Sequence, residues 1–339
     1  MKKSSFKRAS WTQRFAHWGV QSLVAGALGV LSLGSAQAQT EIKLGHVGEP
    51  GSLFAKSSDE FARIANAKLA GKAKVVVYGS SQLGGDKPMV QKLKLGTIDL
   101  ALPSSVMSSE VDLFGIFEMP YLVADRAHMA KIEQSVVWPV LAPAAEKKGL
   151  KIIGVWENGV RHITNNKRPI NKPEDLQGIK LRTPQSTWRV AMFKAYGANP
   201  SPMGFSELFT ALQTGVMDGQ ENPYTQIYSA KLHEVQKYLS ITGHVYTPAY
   251  LTAGANKWKS YSPEIQKALS EAAKETQAYV YKEAAADEVA LLEKIKAAGV
   301  MVNTADGAAF VKASSAIYEQ FAKQVPGSGD LIAKAQSLR

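Results

Sequence analysis

The fold is decided by residues 73–102, which carry the sequence AKVVVYGSSQLGGDKPMVQKLKLGTIDLAL. The Val-rich residues 73–78 predict a strand, and residues 86–95 predict a helix that ends at Gly96. Residues 98–102 then predict a second strand. Short apolar strands that alternate with helices are typical of a mainly parallel sheet, so we expect an α/β fold.

The same alternation continues on both sides of this stretch. Upstream, residues 41–47 predict a strand and residues 52–70 a helix. Downstream, residues 151–156 and 179–182 predict strands, and residues 206–214 predict a helix whose first residue, a serine, is its N-cap. Chains of this size, 339 residues, usually divide into two domains, so we expect two α/β lobes.

A long helix is predicted in the C-terminal third of the chain. It begins at Ser262-Pro263-Glu264, with an N-cap serine and a proline at the first helical position, and the pattern lasts until Gly299. Its apolar positions include Ile265, Leu269 and Ala272, and further on Ala285, Val289 and Leu292. Such a helix would be about 54 Å long, which is more than one small domain, so we expect it to cross both lobes. The alternative is two helices with a break near residues 279–283.

The N-terminus has the pattern of a secretory signal. Basic residues come first, the apolar run 20–33 follows, and Ser35-Ala36-Gln37-Ala38 supplies small residues for cleavage. The apolar run is shorter than the roughly 20 residues of a membrane-spanning helix. We expect residues 1–38 to be a signal peptide that is cut after Ala38, which would place the protein in the periplasm. An uncleaved membrane anchor is the alternative.

Composition excludes several classes of function. The formal charge of +11 falls to about +6 without the five basic residues of the signal, and no basic cluster interleaved with aromatic residues indicates nucleic-acid binding. The absence of cysteine excludes disulfides and thiolate chemistry. None of the six histidines is spaced i, i+4, and the G-x-S-x-G, H-E-x-x-H, P-loop and G-x-G-x-x-G motifs are missing. We therefore predict no enzyme activity, no cofactor and no metal.

Two arginines are candidates for binding an anion. Arg161 and Arg182 lie at the ends of neighbouring strand-like segments. A planar guanidinium donates two parallel hydrogen bonds that match a carboxylate, which a lysine cannot do. Alternatively, each arginine pairs with a surface acid. Phe205 and Asn222 likewise have ordinary interpretations, as a core aromatic residue and as a turn former before Pro223.

Several segments together resemble one family over almost the whole chain after residue 38. They are Ser80-Ser81-Gln82-Leu83-Gly84-Gly85-Asp86, Met119-Pro120-Tyr121, residues 211–223, residues 234–238 and Thr242-Gly243-His244. In these segments the chain resembles the DctP-like substrate-binding proteins of tripartite ATP-independent periplasmic (TRAP) transporters. The resemblance implies a two-lobed periplasmic binding protein fold with hinge strands, which closes on its ligand and has a long helix across both lobes.

The resemblance also implies roles for individual residues. Arg182 matches the arginine that forms the main salt bridge to a ligand carboxylate, and Arg161 matches a second arginine of that site. Asn222 matches an amide that holds the other carboxylate oxygen, and Phe205 an aromatic ring that packs on the ligand. On the opposite lobe the candidates by position are Val47, Glu49, Gln82, Ser104 and Ser105. Some sialic-acid binders carry an acid at the position of Ser104 and an amide at that of Val47, so these departures argue against sialic acid.

We therefore expect a solute-binding protein that captures a small organic carboxylate, namely a dicarboxylate, oxo acid or sugar acid, and delivers it to a TRAP permease. One lobe is expected to comprise residues 39–159 and 248–287, the other residues 160–247 and 288–339. Service to an ATP-driven importer or a chemoreceptor is the alternative among binding proteins. A periplasmic lyase or hydrolase would need a general base near the arginines, for which only Glu157 and Glu221 are available.

Overall fold

The computed structural model describes residues 40–339, so the predicted signal peptide lies outside the described residues. Within them, nine strands form one sheet: β1 Thr40–Gly45, β2 Ala73–Tyr78, β3 Leu100–Ala101, β4 Leu150–Asn165, β5 Lys180–Thr183, β6 Asn199–Pro202, β7 Gly219–Asn222, β8 Tyr238–Gly254 and β9 Met301–Thr304. The order across the sheet is β2-β1-β3-β8-β4-β7-β5-β6, and β9 also pairs with β8. The predicted α/β class is confirmed.

Several helices of the same part of the chain pack against the strands of the sheet. The helices of this part are α1 Leu53–Leu69, α2 Asp86–Leu95, α3 Met107–Glu110, α4 Arg126–Ile132, α5 Ala142–Lys147, α6 Thr187–Ala195, α7 Leu208–Gln213, α8 Tyr224–Ser229, α9 Ala255–Ser260, α10 Pro263–Ala297, α11 Gly307–Ala313, α12 Ser315–Gln324 and α13 Ser328–Gln336. Shorter 3-10 helices lie at Asp112–Glu118, Pro173–Leu176, Phe205–Glu207 and Leu232–Glu234, and a π-helix at Glu133–Leu141.

The sheet has two halves, each built of parallel strands, and two long antiparallel strands join them. In the first half β1 lies between β2 and β3, and in the second half β5 lies between β6 and β7, in both cases with parallel neighbours. Between the halves, β4 and β8 pair from Leu150 opposite Gly254 to Asn165 opposite Tyr238. The molecule is thus two-lobed, and β4 and β8 are the strands that pass from one lobe to the other.

The pairing of β4 and β8 is irregular at its middle. The register shifts between Glu157 and Gly159, and Gly159 adopts a left-handed φ of 128°. A Cβ at this position would lie 2.9 Å from Cβ of Pro223, so only glycine fits without displacement. A bulge of this kind bends a strand and increases its local twist.

The predicted helix bounds in the first lobe are confirmed because local caps determine them. Oγ of Ser52 accepts a hydrogen bond from N–H of Ala55 at 3.2 Å, and Ala70 in the left-handed conformation ends α1. Helix α2 spans residues 86–95 as predicted and is followed by Gly96 at φ 72°. The predicted strand 98–102 is shorter, because only Leu100 and Ala101 pair with neighbouring strands.

Helix α10 is one continuous helix of 35 residues, so the alternative of two helices is wrong. Its first part packs Leu269, Ala272 and Val280 into the larger of two hydrophobic cores. Its last part packs Leu291 and Ile295 into the smaller core beside α7 and α8. The helix therefore crosses both lobes, as predicted.

Two details of the sequence-based prediction are wrong. Val289 is 73% exposed and Ala285 is exposed as well, because the buried face of α10 continues through Ala284 and Leu291 instead. Ser206 is not an N-cap, because the extended backbone of Gly204 starts a 3-10 turn at Phe205 and α7 begins only at Leu208.

The C-terminal helices pack against elements of both halves. The ring of Phe321 in α12 contacts Trp188 of α6 edge-on at 4.9 Å. Farther along, the carbonyl of Ala335 in α13 lies 2.8 Å from Nε2 of His128 in α4. Among the described helices, none is both long and apolar enough to cross a membrane.

Candidate functional site

A cavity lies between the two halves, where the loops after β1 and β3 and the start of α2 meet the ends of β5 and β7. Its volume is about 40 Å³, which is room for roughly three waters when one water needs about 10–15 Å³. Its lining comprises Val47, Phe54, Asp86, Ser104, Ser105, Val106, Asn158, Arg161, Arg182, Pro184, Gln185, Met203, Gly204, Phe205, Asn222 and Gln226. All four residues expected from the second lobe are therefore brought together.

Arg161 is buried and bound to an internal acid rather than a surface acid. Its Nε donates to Oε2 of Glu221 at 2.5 Å, and its Nη2 donates to Oε1 at 2.8 Å. The same Nη2 donates to Oδ1 of Asn222 at 3.0 Å, and Nδ2 of Asn222 donates to Oε1 of Gln220. Pairing of β4 with β7, which sets His162 opposite Asn222, places these side chains side by side.

Glu221 is the centre of a buried ionic network. Besides Arg161 it accepts a hydrogen bond from Nη1 of Arg189 at 2.6 Å, and Arg189 binds Glu118 of the first half at 2.8 Å. Burial alone would raise the pKa of Glu221, but Arg161 and Arg189 outweigh burial and hold it well below its usual range. His244 lies 3.0 Å from Glu221, and burial lowers its pKa to about 4, so the imidazole is neutral at pH 7.

Arg182 differs from Arg161 because it has no ionic partner among residues 40–339. Only 3% of it is exposed, and both Nε and Nη2 donate to the carbonyl oxygen of Met203. Its guanidinium lies 5.9 Å from the ring centre of Phe205. Burial, together with repulsion from Arg161, lowers the pKa of Arg182 to about 10, so it carries its charge at neutral pH.

Asp86 faces the same cavity, and sequence reasoning missed it although it lies in the quoted Ser80–Asp86 segment. The residue as a whole is half-buried, but its Oδ1 is sealed from solvent and has no hydrogen-bond partner within the described chain. Burial raises the pKa of Asp86 to about 6, against the attraction of Arg182 and Arg161. The available signal was an acid in the first turn of a helix whose N-cap, Gly85, has no side chain to cap it.

The candidates from the first lobe fall into two groups. Val47, Ser104 and Ser105 line the cavity, and Oγ of Ser104 donates to the carbonyl of Pro248 at 2.7 Å. Glu49 and Gln82 lie outside its lining. Glu49 accepts a hydrogen bond from Oγ of Ser80 at 2.8 Å and borders an outer groove, and Gln82 is exposed.

Sequence reasoning missed three further polar residues of the lining, which are Asn158, Gln185 and Gln226. Within residues 40–339, no cluster of three or more His, Cys, Asp or Glu side chains could hold a metal ion. The arrangement is instead that of an anion site, because a buried cation lines a cavity with several polar side chains between the two lobes.

A two-lobed α/β protein with buried arginines in the cleft is a solute-binding protein of the periplasmic type. The family model "Bacterial extracellular solute-binding protein, family 7" (DctP) matches residues 44–324, and the chain belongs to this family of TRAP transporter solute-binding proteins. A periplasmic location follows from the family. The resemblance stated from the sequence is thus confirmed.

Individual relatives agree with this assignment. The chain is 36% identical to the 2,3-diketo-L-gulonate-binding periplasmic protein YiaO of Escherichia coli (strain K12), over 81% of this chain and 85% of the relative. The structure of a TRAP periplasmic solute-binding protein from Sulfurospirillum deleyianum DSM 6946 with bound succinate matches with a TM-score of 0.84 and 36% identity, over 89% of this chain and 100% of that one. A structure from Polaromonas sp. JS666 bound to D-erythronate matches with a TM-score of 0.84 and 34% identity, over 88% and 99%. All are solute-binding proteins and not enzymes.

Proposed function

We propose that this protein captures a small organic carboxylate through Arg182 and delivers it to a TRAP membrane permease. One observation carries the proposal: Arg182 is a buried cation without an ionic partner among residues 40–339. A buried charge is unfavourable unless it is paired. A ligand carboxylate would supply the missing negative charge and accept hydrogen bonds from the guanidinium in bidentate geometry.

The other lining residues complete the proposed site. Arg161 already binds Glu221, so its part is to hold Asn222 in place and to add positive potential. Asn222 would bind a carboxylate oxygen, and Phe205 would pack on the carbon chain beside Arg182. Ser104 and Ser105 would contact the ligand from the first lobe. Glu49 and Gln82 lie outside the cavity and are left out of this set.

Relatives support an acid as the ligand. The Escherichia coli relative is named for binding 2,3-diketo-L-gulonate, and two of the similar structures contain succinate and D-erythronate. All three compounds are small carboxylates. They differ in the number of hydroxyl and carboxylate groups, so they support a carboxylate as the ligand but leave its substituents open.

The lobes must part for the ligand to enter, because Arg161 and Arg182 of the cavity wall are only 2% and 3% exposed. We propose that the lobes comprise residues 39–159 with 248–287 and residues 160–247 with 288–339. The bulge at Gly159 supports a hinge at this boundary. Helix α10 would then bend near residues 282–287.

The permease is proposed as the partner because the family serves TRAP transporters. Delivery requires export, and we propose that residues 1–38 are removed after Ala38. N-terminal sequencing of the protein recovered from the periplasm tests this site directly. An N-terminus at Met1 would show that the segment is retained.

A thermal-shift screen over organic acids tests the proposed ligand class. A ligand that binds only the folded protein, at about 100 times its Kd, stabilises it by about 2.7 kcal/mol. We expect carboxylates to raise Tm and their methyl esters to have no effect. A response to amines or neutral sugars with silence toward every acid would contradict the proposal.

A further inference from the structure

Three residues of the cavity lining each carry one buried polar atom that has no hydrogen-bond partner within the described chain. These atoms are Oδ1 of Asp86, Oγ of Ser105 and Oε1 of Gln226. They come from three separate elements, namely the start of α2, the loop after β3, and α8. Oδ1 of Asp86 and Oε1 of Gln226 accept hydrogen bonds, whereas the hydroxyl of Ser105 can accept or donate, and a buried polar atom without a partner is unfavourable. Asp86 and Gln226 therefore need donors from whatever fills the cavity, and a donor would satisfy Ser105 as well.

The direction of one hydrogen-bond chain explains why Gln226 presents an acceptor. The carbonyl of Pro248 can only accept, so Oγ of Ser104 donates to it at 2.7 Å. Ser104 then accepts from Nδ2 of Asn158 at 3.3 Å, and Asn158 accepts from Nε2 of Gln226 at 3.4 Å. Because every donor in the chain points toward Pro248, the amide oxygen of Gln226 is the group left without a partner.

The cavity is thus chemically polarised. Arg182 supplies a cation and hydrogen-bond donors to the lining, whereas Asp86 and Gln226 need donors and the hydroxyl of Ser105 needs a partner of either kind. Oδ1 of Asp86 is buried without a hydrogen-bond partner, and burial raises the pKa of this carboxyl group, so a second carboxylate beside it would be poorly solvated. A ligand that matches both Arg182 and these acceptors needs one carboxylate and, along its carbon chain, several neutral hydrogen-bond donors.

We propose that the ligand is a hydroxylated monocarboxylate, whose carboxylate binds Arg182 and whose hydroxyl groups donate hydrogen bonds to Asp86, Gln226 and Ser105. This inference rests on the proposed function and narrows its ligand class. A dicarboxylate is disfavoured, because its second carboxylate offers only acceptors and would face the like charge of Asp86. An amino acid is disfavoured too, because an ammonium concentrates its donors on one atom, whereas the three buried polar atoms come from three elements.

Calorimetry with matched acids tests the proposal. For each chain length from three to six carbons, the panel contains hydroxy acids of both configurations, the unsubstituted acid, the dicarboxylate and a hydroxylated amino acid. The four-carbon set is D-erythronate, butyrate, succinate and threonine. One hydrogen bond to a charged group corresponds to about 10- to 100-fold in affinity. We expect at least one hydroxy acid to bind more than about 30-fold tighter than the unsubstituted acid, the dicarboxylate and the amino acid of the same chain length.

Two variants locate the effect. Asp86→Asn should lower the affinity for the best hydroxy acid about 10- to 100-fold. It should also reduce the ratio of that affinity to the affinity for the matched dicarboxylate. Gln226→Met should weaken the same hydroxy acid but not the unsubstituted acid. The matched control is Asp330→Asn, because Asp330 also lies in the first turn of a helix but is exposed on α13. Circular dichroism and Tm establish that each variant is folded.

The outcomes separate this inference from the function on which it rests. If a dicarboxylate or an amino acid binds as tightly as the best hydroxy acid, or if Asp86→Asn keeps the hydroxy-acid affinity, the inference is wrong and carboxylate capture stands. If no acid of any kind binds, the proposed function fails, and the inference fails with it.

Discussion

Arg182 and Met203 are joined by a two-pronged hydrogen bond, in which Nε and Nη2 of the arginine both donate to one carbonyl oxygen, at 3.0 and 2.7 Å. This arrangement fixes the plane of the guanidinium without neutralising its charge. A backbone carbonyl orients the group, and the charge stays available for a ligand.

Replacing Arg182 with lysine should abolish tight binding while the fold is kept. Lysine retains the charge but loses the planar fork of donors. Loss of one partner of a buried charge pair costs about 2–5 kcal/mol, which is about 30- to several thousand-fold in affinity. Calorimetry measures the change. Arg168→Lys is the matched control, because Arg168 also donates to backbone carbonyls but is exposed. A loss below about threefold for Arg182→Lys would remove it from the site.

Asn222→Ala should weaken binding less than Arg182→Lys does. A single hydrogen bond to a charged group is worth about 1.5–3 kcal/mol. Some stability should be lost as well, because Asn222 bonds Arg161 and Gln220 within the protein. Calorimetry and thermal unfolding together distinguish the two effects. A lower Tm with unchanged affinity would show that Asn222 serves the fold alone.

Glu221→Gln should destabilise the protein strongly at neutral pH. The substitution leaves Arg161 and Arg189 without their shared counter-ion, and breaking a buried pair costs about 3–5 kcal/mol. Because the pKa of Glu221 is lowered in the folded state, its contribution is present above the usual carboxylate pKa and is lost as the pH falls. The difference in the free energy of unfolding between the variant and the parent protein should therefore become smaller below about pH 4. Urea unfolding at pH 7 and at about pH 3 measures it, with the exposed Glu319→Gln as control. An equal difference at both values would contradict the ionic interpretation.

Asp86→Asn should stabilise the unliganded protein at pH 7. Burial raises the pKa of Asp86 to about 6, and the charged groups that face it, Arg182 and Arg161, only partly offset this. The stability contributed by this raised pKa is therefore complete below about pH 4 and is lost as the pH rises through 6. We expect a gain of about 1–3 kcal/mol at pH 7 that disappears near pH 4. Unfolding curves of the variant and of Asp330→Asn provide the comparison. Destabilisation at pH 7 would show that Asp86 acts mainly as the counter-ion of Arg182.

Ligand binding should make the molecule more compact in solution. Contacts that exist only when the lobes are together favour the closed form, and the free protein should open at the bulge beside Gly159. Small-angle scattering with and without ligand measures the radius of gyration. An unchanged radius together with tight binding would mean that the site is preformed.

The sequence predicted those parts of the fold that depend on local signals. Helices α1, α2 and α10 begin and end at caps such as Ser52, Gly96 and Ser262, which involve only neighbouring residues. Strand β4 runs to Asn165, but the sequence predicts only residues 151–156 of it. Gly159 and the polar residues around it interrupt the apolar pattern that indicates a strand. The length of β4 is set by pairing with β8, which is far away in sequence.

The candidate site was predictable only in part, for a similar reason. Arg161 and Arg182 lie in recognisable segments, and the structure brings both to the cavity. The two arginines differ in their hydrogen-bond partners, which are distant in sequence. Arg161 binds the carboxylate of Glu221, whereas Arg182 binds the backbone carbonyl of Met203. The importance of Asp86 arises from burial, which composition and spacing do not encode.

The two strands that join the lobes also determine when each lobe can be completed during synthesis. Strand β3 gains its second neighbour only when Leu100 and Ala101 pair with Ala253 and Thr252 of β8, and α1 is covered only when α10 has been made. Neither half is therefore a contiguous piece of chain, and contacts this distant in sequence slow folding. A ribosome-bound chain that lacks β8 cannot complete the first half of its sheet. That half therefore stays incomplete until residues 238–254 have been made.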